Sequence, residues 1–321
     1  MIKNKNYIGI DISKLSFDVA FENENAKYLH FKFSNDNKGF KDFAKLINAD
    51  LDICVMEASG PYYLKLASYL SNNRISVCVI NPLVIRRFSQ MRMSRTKTDK
   101  KDALIIAEYG KTEMPDLWKP EADYVLEIKQ MQAYADQMNK SRTGFLRQKE
   151  AFKQNPAQSI ILNESLEKMI TMLEIEIAQI ESKMIAIIKY HHDELFKQLT
   201  SIPGIGKKTA MLLIVISGGF TKFKNARQLS SYVGISPRIF ESGTSVKGKS
   251  RICKMGMSRI RAMLYVCSWS AKKNNSACRE LYDRLVEKGK AKKLALIAVA
   301  NKLLKQAFAL ASKNEYYLQN N

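Results

Sequence analysis

The sequence predicts an α/β domain over residues 1–115, a hairpin of long helices over residues 116–196 and a mostly helical domain over residues 197–321. In the first eighty residues, segments with strand-like apolar patterns are followed by segments with helical spacing of apolar residues. In the middle of the chain, apolar residues follow a heptad pattern. The charge also changes along the chain. Residues 1–60 hold eight Lys and nine acids, a net of −1, whereas residues 195–279 hold sixteen Lys or Arg and one acid, a net of +15.

The first domain is predicted from the order of its segments. Three strands come in succession, followed by a helix, a strand, a helix and a last strand. In chain order these are Tyr7–Ile12, Phe17–Phe21, Tyr28–Phe33, the helix Gly39–Ile47, Leu51–Met56, the helix Tyr62–Leu70 and Ile75–Ile80. A meander followed by helix-connected strands predicts a mixed sheet covered by helices, as in the RNase H-like fold. Residues 82–110 continue in a helical, basic pattern.

The middle of the chain is predicted to form a helical hairpin. One helical segment covers residues 121–154 and stops at Asn155-Pro156. In the second, apolar residues recur with 4-3 spacing over three heptads, at Leu166, Ile170, Leu173, Ile177, Ile180, Met184 and Ile187. This spacing is typical of a coiled coil. The seam packs either on its own hairpin partner or on a second copy of the chain, and the pattern leaves both open.

The last third is helical apart from a Gly-, Ser- and Lys-rich stretch at residues 236–251. This stretch is too polar for a core, which makes it a candidate active-site or DNA-contacting loop. A second candidate is the turn before Lys207 and Lys208, where Gly204 and Gly206 expose backbone N–H groups that suit phosphate. The alternative for this turn is a plain connection between two helices.

Composition narrows the classes of function. With 52 Lys or Arg against 31 Asp or Glu, the net charge is +21, which indicates a polyanionic partner. The N-terminus has no apolar stretch of signal-peptide length, and the longest strongly apolar run, residues 210–216, is too short for a bilayer, so we expect a cytoplasmic protein without membrane contact. The five cysteines lack a CxxC pair and lie in apolar segments, which favours reduced core thiols. The three histidines are too few and too scattered for zinc, so a metal would need oxygen ligands.

Four carboxylates are candidates for such ligands. Asp11 lies inside the first strand, where an acid is costly unless it is paired or metal-bound. Glu57 ends another strand, and Asp99 and Asp102 lie three residues apart at the start of a helix. Together they match the needs of two Mg²⁺ ions about 4 Å apart in phosphoryl transfer. The cations nearby in the sequence that would hold nucleic acid are Arg95, Lys97, Lys100 and Lys101.

Each carboxylate also has an ordinary alternative. Asp99 could cap the helix after Thr98, and Asp102 could be a first-turn acid favoured by the helix dipole. Glu57 could be a plain strand-end residue.

Three motifs of the first domain carry a family resemblance. They are Asp11-Ile-Ser-Lys14, Glu57-Ala-Ser-Gly-Pro-Tyr62 and Arg95-Thr-Lys-Thr-Asp99-Lys-Lys-Asp102-Ala103. They closely resemble the N-terminal half of the DEDD insertion-sequence transposases, also called bridge recombinases. The resemblance implies a RuvC-like domain in which Asp11, Glu57, Asp99 and Asp102 bind the catalytic metals.

The second half of the chain resembles the same family in the same order. Ile202-Pro-Gly-Ile-Gly206 with Thr209-Ala210 is similar to its helix-hairpin-helix element, and Leu229-Ser-Ser-Tyr-Val-Gly-Ile-Ser-Pro237 to the block that follows. Glu241-Ser242-Gly243 lies where the family carries a nucleophilic serine, before Ile252-Cys-Lys-Met-Gly256 and Arg261. One position departs from the pattern, since Met257 stands where the family usually has Asn after the glycine.

Ser242 also has an ordinary structural explanation, beside the nucleophilic role that the resemblance implies. Like Thr244 and Ser245, it could be a loop hydroxyl that serves turn chemistry. No histidine follows His192, so a serine nucleophile would need a metal, a carboxylate or a lysine as its activator.

The resemblance implies a DNA recombinase that cuts and rejoins strands through a phosphoserine at Ser242. It further implies a homo-oligomer, in which the serine completes a site with the carboxylates of another protomer, and a structured noncoding guide RNA beside donor and target DNA. The nucleic-acid contacts expected in the second half are Gly204, Gly206, Lys207, Lys208, Lys247, Lys249, Arg251, Lys254 and Arg261.

Three alternatives remain open on the sequence. A site-specific DNA invertase of the pilin-inverting kind shares the motifs. A RuvC-like junction nuclease would hydrolyse with water and need no Ser242. A nucleic-acid-binding protein without catalysis would keep the carboxylates as structural groups.

Overall fold

The computed structural model describes residues 5–23, 27–93, 98–157, 159–238, 241–242, 246–247, 251–253 and 255–318. The chain divides into two compact units, of which the first ends at Glu121 and the second begins at Ala122. The three-part division drawn from the sequence stays a prediction.

The first unit contains a mixed five-stranded sheet with the order β3-β2-β1-β4-β5. Its strands are β1 (Asn6–Ile12), β2 (Ser16–Glu22), β3 (Tyr28–Ser34), β4 (Asp52–Glu57) and β5 (Ser76–Ile80). The first three strands pair antiparallel, whereas β4 pairs parallel with both β1 and β5. The predicted mixed sheet is confirmed, and its arrangement is consistent with an RNase H-like domain.

Helices cover both faces of this sheet. On one face, α1 (Asn37–Ala44) and α2 (Tyr63–Asn72) share a core with the apolar side chains of β1 and β2. On the other face lie α3 (Pro82–Met91) and α4 (Asp99–Glu113). The helical pattern over residues 82–110 is therefore two helices. Each has its own start, since Asn81 caps α3 ahead of a proline in its first turn and Thr98 caps α4.

The second unit begins with the long hairpin formed by α5 (Asp123–Phe152) and α6 (Ile160–Thr200). All seven heptad residues of α6 are buried or partly buried. Ile177 shares a small cluster with Ala135 and Met138 of α5, so this part of the seam packs on its own hairpin partner. Arg142–Glu174 at 3.4 Å and Lys149–Glu167 at 2.5 Å connect the two helices in antiparallel order.

A bend interrupts α6 at His192, whose φ of −146° and ψ of 42° are not helical. Tyr124 of α5 holds this position, because its hydroxyl lies 2.8 Å from His192 Nε2 while its ring stacks on His191 at 4.0 Å. Beyond the bend, Phe196 and Leu199 enter the core of the unit.

The rest of the second unit is mostly helical. Its helices are α7 (Lys207–Ser217), α8 (Ala226–Val233), α9 (Ser258–Asn274), α10 (Ser276–Glu287) and α11 (Lys292–Lys313). They share one core with the base of the long hairpin, where Val125, Ile128, Met184 and Ile188 are buried. Four two-residue strands between α8 and α9 are described with the site below.

α11 is the one helix within the described ranges that is long and apolar enough, by length and composition, to cross a membrane. Such a helix is weak evidence for a membrane, because the core helix of a soluble protein passes the same test. Here Ala295, Leu296, Val299 and Leu303 are buried in the core of the unit. All five cysteines are free, as predicted, but only Cys54, Cys78 and Cys278 are buried, whereas Cys253 and Cys267 are partly exposed. Burial raises the thiol pKa of Cys78 and of Cys278 to about 11.

Candidate active site

Alternation along β1 places Asp11 on the face opposite the α1 and α2 core. Ile10 and Ile12 are buried in that core, so Gly9 and Asp11 face the other way, toward α4. Asp11 is partly exposed there. A single strand thus anchors the sheet with its isoleucines and presents an acid on its other side.

Gly9 lets α4 lie directly on β1. A Cβ at this position would come within 2.0 Å of the Ala103 carbonyl oxygen and 2.3 Å of the Ala107 nitrogen. Only glycine allows that approach. At the other end of α4, a Cβ on Gly110 would meet Val55 and Tyr7 side-chain atoms at 2.7 and 2.9 Å. The helix is therefore fixed over β1 and β4 by close backbone contact.

The strand register brings Glu57 to the same face. Gly9 pairs with Val55 and Ile10 with Met56 in the parallel β1–β4 ladder, so Glu57 follows Val55 by two residues as Asp11 follows Gly9. Both acids lie near the carboxyl ends of parallel strands, where open α/β sheets bind ligands.

The first turn of α4 supplies Asp99 and Asp102. The Lys101 backbone N–H donates to Thr98 Oγ1 at 3.3 Å, so Thr98 is the cap and the alternative that Asp99 caps the helix is wrong. Asp99 is exposed and Asp102 is partly buried. Both belong to the acidic first turn, which the helix dipole favours.

The pKa of Asp11 reflects both its burial and the acids around it. Burial raises its pKa from 3.8 to about 6, and the negative charges of Asp102, Asp99, Glu57 and Asp18 add to the rise. Oxygen donors with excess negative charge are what a hard divalent cation requires. Among the residues that the structure describes, however, no three His, Cys, Asp or Glu side chains are grouped closely enough to hold one metal ion. The acids are near enough to repel one another without forming a closed cluster.

Sequence reasoning missed Asp18. It pairs directly with Asp11 across the β1–β2 ladder, and only 5% of it is exposed. Its carboxylate lies 2.7 Å from His30 Nε2 and 3.4 Å from Lys32 Nζ, both on β3. The available signal was an acid between Phe17 and Val19, two apolar residues in a strand-like segment.

The polar stretch at residues 236–251 contains two nested strand pairs, which we call the serine hairpin. At its base, β6 (Pro237–Arg238) pairs with β9 (Arg251–Ile252), and further out β7 (Glu241–Ser242) pairs with β8 (Val246–Lys247). The Ser242 backbone pairs with Val246. The side chains of Ser242, Lys247 and Arg251 lie outside the described part of the structure, as do residues Arg95, Lys97, Lys249 and Lys254.

Two glycines anchor the base of the serine hairpin. Gly234 has a φ of +77°, and a Cβ there would lie 1.8 Å from the Met255 carbonyl oxygen. Gly256 has a φ of +105°, and its Cβ would lie 2.1 Å from the Tyr232 carbonyl oxygen. Arg261 completes the contact, since Nη1 donates to the Val233 carbonyl oxygen at 2.9 Å. Its guanidinium thus has a structural partner.

Met257 occupies the N-cap position of α9 and provides no side-chain hydrogen bond. An Asn at a cap position would accept from the helix N–H groups. Met257 instead packs against the apolar core of the unit. The departure noted in the sequence therefore affects a helix start.

The glycine turn before α7 combines tight packing with one open position. Gly204 has a φ of +107°, and a Cβ there would lie 2.7 Å from Ala271 of α9. Gly206 begins α7 with nothing within 4 Å of a would-be Cβ. Lys207 is exposed, whereas Lys208 forms a 2.5 Å ion pair with Glu181 of α6. In the first unit, Lys100 and Lys101 are exposed beside Asp99.

Comparison with known proteins matches both halves of the chain. A family model described as a transposase, of the DEDD class of IS110, matches residues 8–154, and one described as "Transposase IS116/IS110/IS902 family" matches residues 196–283. The pilin gene-inverting proteins of Moraxella lacunata and Moraxella bovis are each 32% identical over 97% of this chain and 97% of their own length. The transposase for insertion sequence element IS1111A of Coxiella burnetii is 21% identical over 98% of this chain and 92% of its own length. The four acids and Ser242 all fall within the matched segments.

Proposed function

The chain belongs to the IS110 family of insertion-sequence transposases, and on this premise we propose that it cuts and rejoins DNA strands with Asp11, Glu57, Asp99, Asp102 and Ser242. The observation that carries the proposal is the placement of Asp11 and Glu57 on one face of the sheet, with α4 packed against that face. Burial raises the pKa of Asp11, and the negative charges of Asp102, Asp99 and Glu57 add to the rise. A sheet face that brings acids near the carboxyl ends of parallel strands suits phosphodiester chemistry better than a structural role.

The four carboxylates would hold two divalent cations, with Mg²⁺ as the expected ion. Bound there, the ions would neutralise charge on the attacking and leaving oxygens of a phosphodiester. Asp11 and Glu57 supply oxygens from rigid strands, and α4 carries Asp99 and Asp102 over them. The donor set fits a hard cation because all four are carboxylates.

Ser242 is proposed as the nucleophile. Its Oγ attacks the phosphorus, a P–O bond of the DNA strand breaks, and the proton lost by the serine ends on the leaving DNA oxygen. A DNA hydroxyl then attacks the phosphoserine, forms the new P–O bond and returns the serine hydroxyl. Because each step exchanges one phosphoester for another, rejoining needs no external energy source.

The remaining parts of the chain are proposed to hold nucleic acid and to assemble copies. We expect the RNase H-like domain to be of the RuvC type, the long hairpin to act as an antiparallel coiled coil and the Ile202–Gly206 turn to act as a helix-hairpin-helix element. The +15 region supports binding of DNA and of a structured guide RNA through their phosphates. A homo-oligomer would let Ser242 of one copy act with the acids of another.

A DNA invertase is the second candidate, favoured by the names of the two Moraxella relatives that span nearly the whole chain. The chemistry would be the same, but the substrate would be two inverted sites on one DNA molecule. An assay on a circular plasmid that carries the DNA flanking this gene distinguishes the invertase from the transposase. Inversion of the segment supports the invertase, and excision or insertion supports the transposase.

Substitution of Ser242 by Ala tests the nucleophile. We expect loss of recombination and of the covalent protein–DNA adduct, measured by denaturing gel electrophoresis, while Ser245→Ala keeps both. An adduct that persists in Ser242→Ala would show that another residue attacks.

A Mg²⁺ titration of Asp102→Asn tests the carboxylate site. We expect strand transfer to fall at least about 100-fold, as for removal of a metal-site group. Wild-type activity with wild-type metal dependence would refute the four-carboxylate site.

A further inference from the structure

A long groove in the second unit has an apolar floor and a cationic rim, and we call it the basic groove. Its volume is about 1340 Å³, and it follows α11 from Lys293 to Ala309 with α9 on one side. The apolar floor includes Tyr265, Leu294, Ile297 and Ala298. The charged residues that line it are all cations, namely Arg261, Lys293, Lys302 and Lys305, and no acid is found among its described lining residues.

The groove explains why α11 is apolar on two sides. One side, with Leu296 and Val299, is buried in the core. The adjacent side, with Leu294 and Ile297, faces the groove, and Leu294 is 40% exposed. An amphipathic surface helix needs only one apolar side, so the second indicates a partner.

A surface that matches this groove lies on the outer side of α6, and we call it the apolar stripe. It consists of four large side chains between 41% and 79% exposed, Ile161, Met169, Met172 and Ile175. They lie on the flank of α6 beside the buried seam residues, and their exposure shows that α5 does not cover them. Residues 160–181 hold five Glu and one Lys, a net of −4 in a chain of net +21.

The stripe and the groove agree in length and in charge. The stripe covers 15 residues and the groove follows α11 for 17 residues. From the first residue to the last, these are about 21 Å and about 24 Å of helix at 1.5 Å per residue. Glu164 and Glu176 flank the stripe and form no ion pair with a described residue, while Lys302 and Lys305 line the groove. An acidic amphipathic helix laid in a cationic apolar groove is a common mode of recognition.

We propose that the apolar stripe of one copy docks in the basic groove of a second copy. Both surfaces are exposed in a single chain, so the stripe does not fill its own groove. A nucleic acid would neutralise the rim but would leave the stripe uncovered, whereas a second copy covers both. The contact joins two different surfaces, so each copy can offer its stripe to one neighbour and its groove to another. It goes beyond the proposed DNA chemistry and does not depend on it.

Two substitutions test the stripe and the groove one at a time. Met172→Asp places a charge in the stripe, and Lys302→Glu reverses a charge in the groove without removing an apolar side chain. We expect each variant of the full chain to shift toward monomer in sedimentation velocity, with association weakened at least tenfold. Met114→Asp, at a methionine 71% exposed in the first unit, is the matched control and should associate like the wild type.

Mixing the two variants is the decisive measurement. The intact groove of Met172→Asp can accept the intact stripe of Lys302→Glu, so the mixture should recover a species of two chains that neither variant forms alone. A pairing of stripe with stripe would not recover in the mixture. The charge-exchanged chain with Glu176→Lys and Lys302→Glu should associate better than either single variant.

Three results would overturn the proposal. One is a wild-type chain that stays monomeric at every concentration. Another is a wild-type association that neither Met172→Asp nor Lys302→Glu weakens. The third is a Lys302→Glu variant that keeps wild-type association but binds an unpaired 20-nucleotide oligonucleotide at least tenfold more weakly, since the groove would then hold nucleic acid. Circular dichroism of each variant shows that the fold is retained.

Discussion

Asp11 is partly buried near several other acids, and this makes it the most informative residue of the site. Burial raises the pKa of Asp11, and the negative charges of Asp102, Asp99, Glu57 and Asp18 add to the rise. A carboxyl with a folded pKa near 6 and an unfolded pKa near 3.8 binds its proton more tightly in the folded state. Stability from this group is therefore fully present below about pH 4 and is lost as the pH rises through 6.

Asp11→Asn should stabilise the metal-free protein at neutral pH. The amide removes a partly buried charge, and after allowance for solvent screening we expect a gain of about 1–2 kcal/mol at pH 7.5 that disappears near pH 4. Urea denaturation in the presence of a chelator measures it, with Asp50→Asn at an exposed position as the control. A second readout is Mg²⁺, which should raise the melting temperature of the wild type and not of Asp11→Asn. A variant less stable than the wild type at pH 7.5 would contradict this account.

His30→Ala should destabilise the first unit more than Lys32→Ala does. Removal of His30 takes the 2.7 Å partner from the buried Asp18 carboxylate, whereas Lys32 lies at 3.4 Å and is more than half exposed. We expect a loss of about 2 kcal/mol for His30→Ala and less than about 1 kcal/mol for Lys32→Ala. Equal losses from both variants in chemical denaturation would mean that Asp18 is held by other groups.

Acids that the local sequence pattern marks were easier to predict than an acid that reaches the site only through strand pairing. Asp11 and Glu57 are acids in apolar strands, which the local pattern marks. Asp18 becomes significant only through the register that pairs it with Asp11, and strand register joins residues that no local window compares.

At the scale of elements, α4 determines where half of the carboxylates lie. The helix rests on β1 through Gly9, Ala103 and Ala107, and on β4 near Gly110. None of these residues has a functional group, yet together they set the distance from the first turn of α4 to Asp11.

Gly9→Ala should displace α4 and reduce strand transfer more than it reduces the content of secondary structure. The new methyl would overlap backbone atoms at 2.0 and 2.3 Å, so the helix must shift. We expect a loss of about 2–3 kcal/mol in stability and a fall of about 100-fold in activity. Gly144→Ala is the matched control, because it adds a methyl in open space inside α5 and should stabilise by about 0.5–1 kcal/mol. Wild-type activity in Gly9→Ala would show that the position of α4 does not matter.

The elements themselves were largely predictable. Alternation marked β2 and β3, apolar runs marked β4 and β5, and heptad spacing marked the second helix of the long hairpin. The start of α4 near Asp99 was predicted and is confirmed. The end of α3 at Met91 was not predicted, because the helical, basic pattern continues through residues 82–110. The anchor formed by Gly234 and Gly256 joins motifs that are more than twenty residues apart, which no local pattern indicates.

At the scale of the whole molecule, the net charge of +21 divides into regions with different tasks. The segment with the +15 excess contains the serine hairpin and the glycine turn, while the first sixty residues, with Asp11 and Glu57, are nearly neutral. The structure further pairs some cations internally, as Lys208 with Glu181 and Arg259 with Asp136. The charge available to nucleic acid is thus smaller than the formal count.

Affinity for duplex DNA should fall steeply with salt. For six or more phosphate contacts, we expect the dissociation constant to rise by about 1000-fold or more between 50 and 200 mM salt. Lys207→Gln should lower the slope of log K against log salt by about 1, because this exposed lysine is available to a phosphate. Lys208→Gln, whose wild-type lysine already pairs with Glu181, should change the slope less. Fluorescence anisotropy measures both, and equal slopes for the two variants would contradict this reading of the glycine turn.

The bend at His192 has a mechanical consequence. Residues 160–191 of α6 form a rod of about 47 Å at 1.5 Å per residue, and Met184 and Ile188 hold its end near His192 in the core of the unit. If the rod rotated by about 10° about this end, its far end would move by about 8 Å. The hydrogen bond between the Tyr124 hydroxyl and His192 Nε2 joins α5 to α6 at this end, so a load on the tip of the hairpin would bear on that contact.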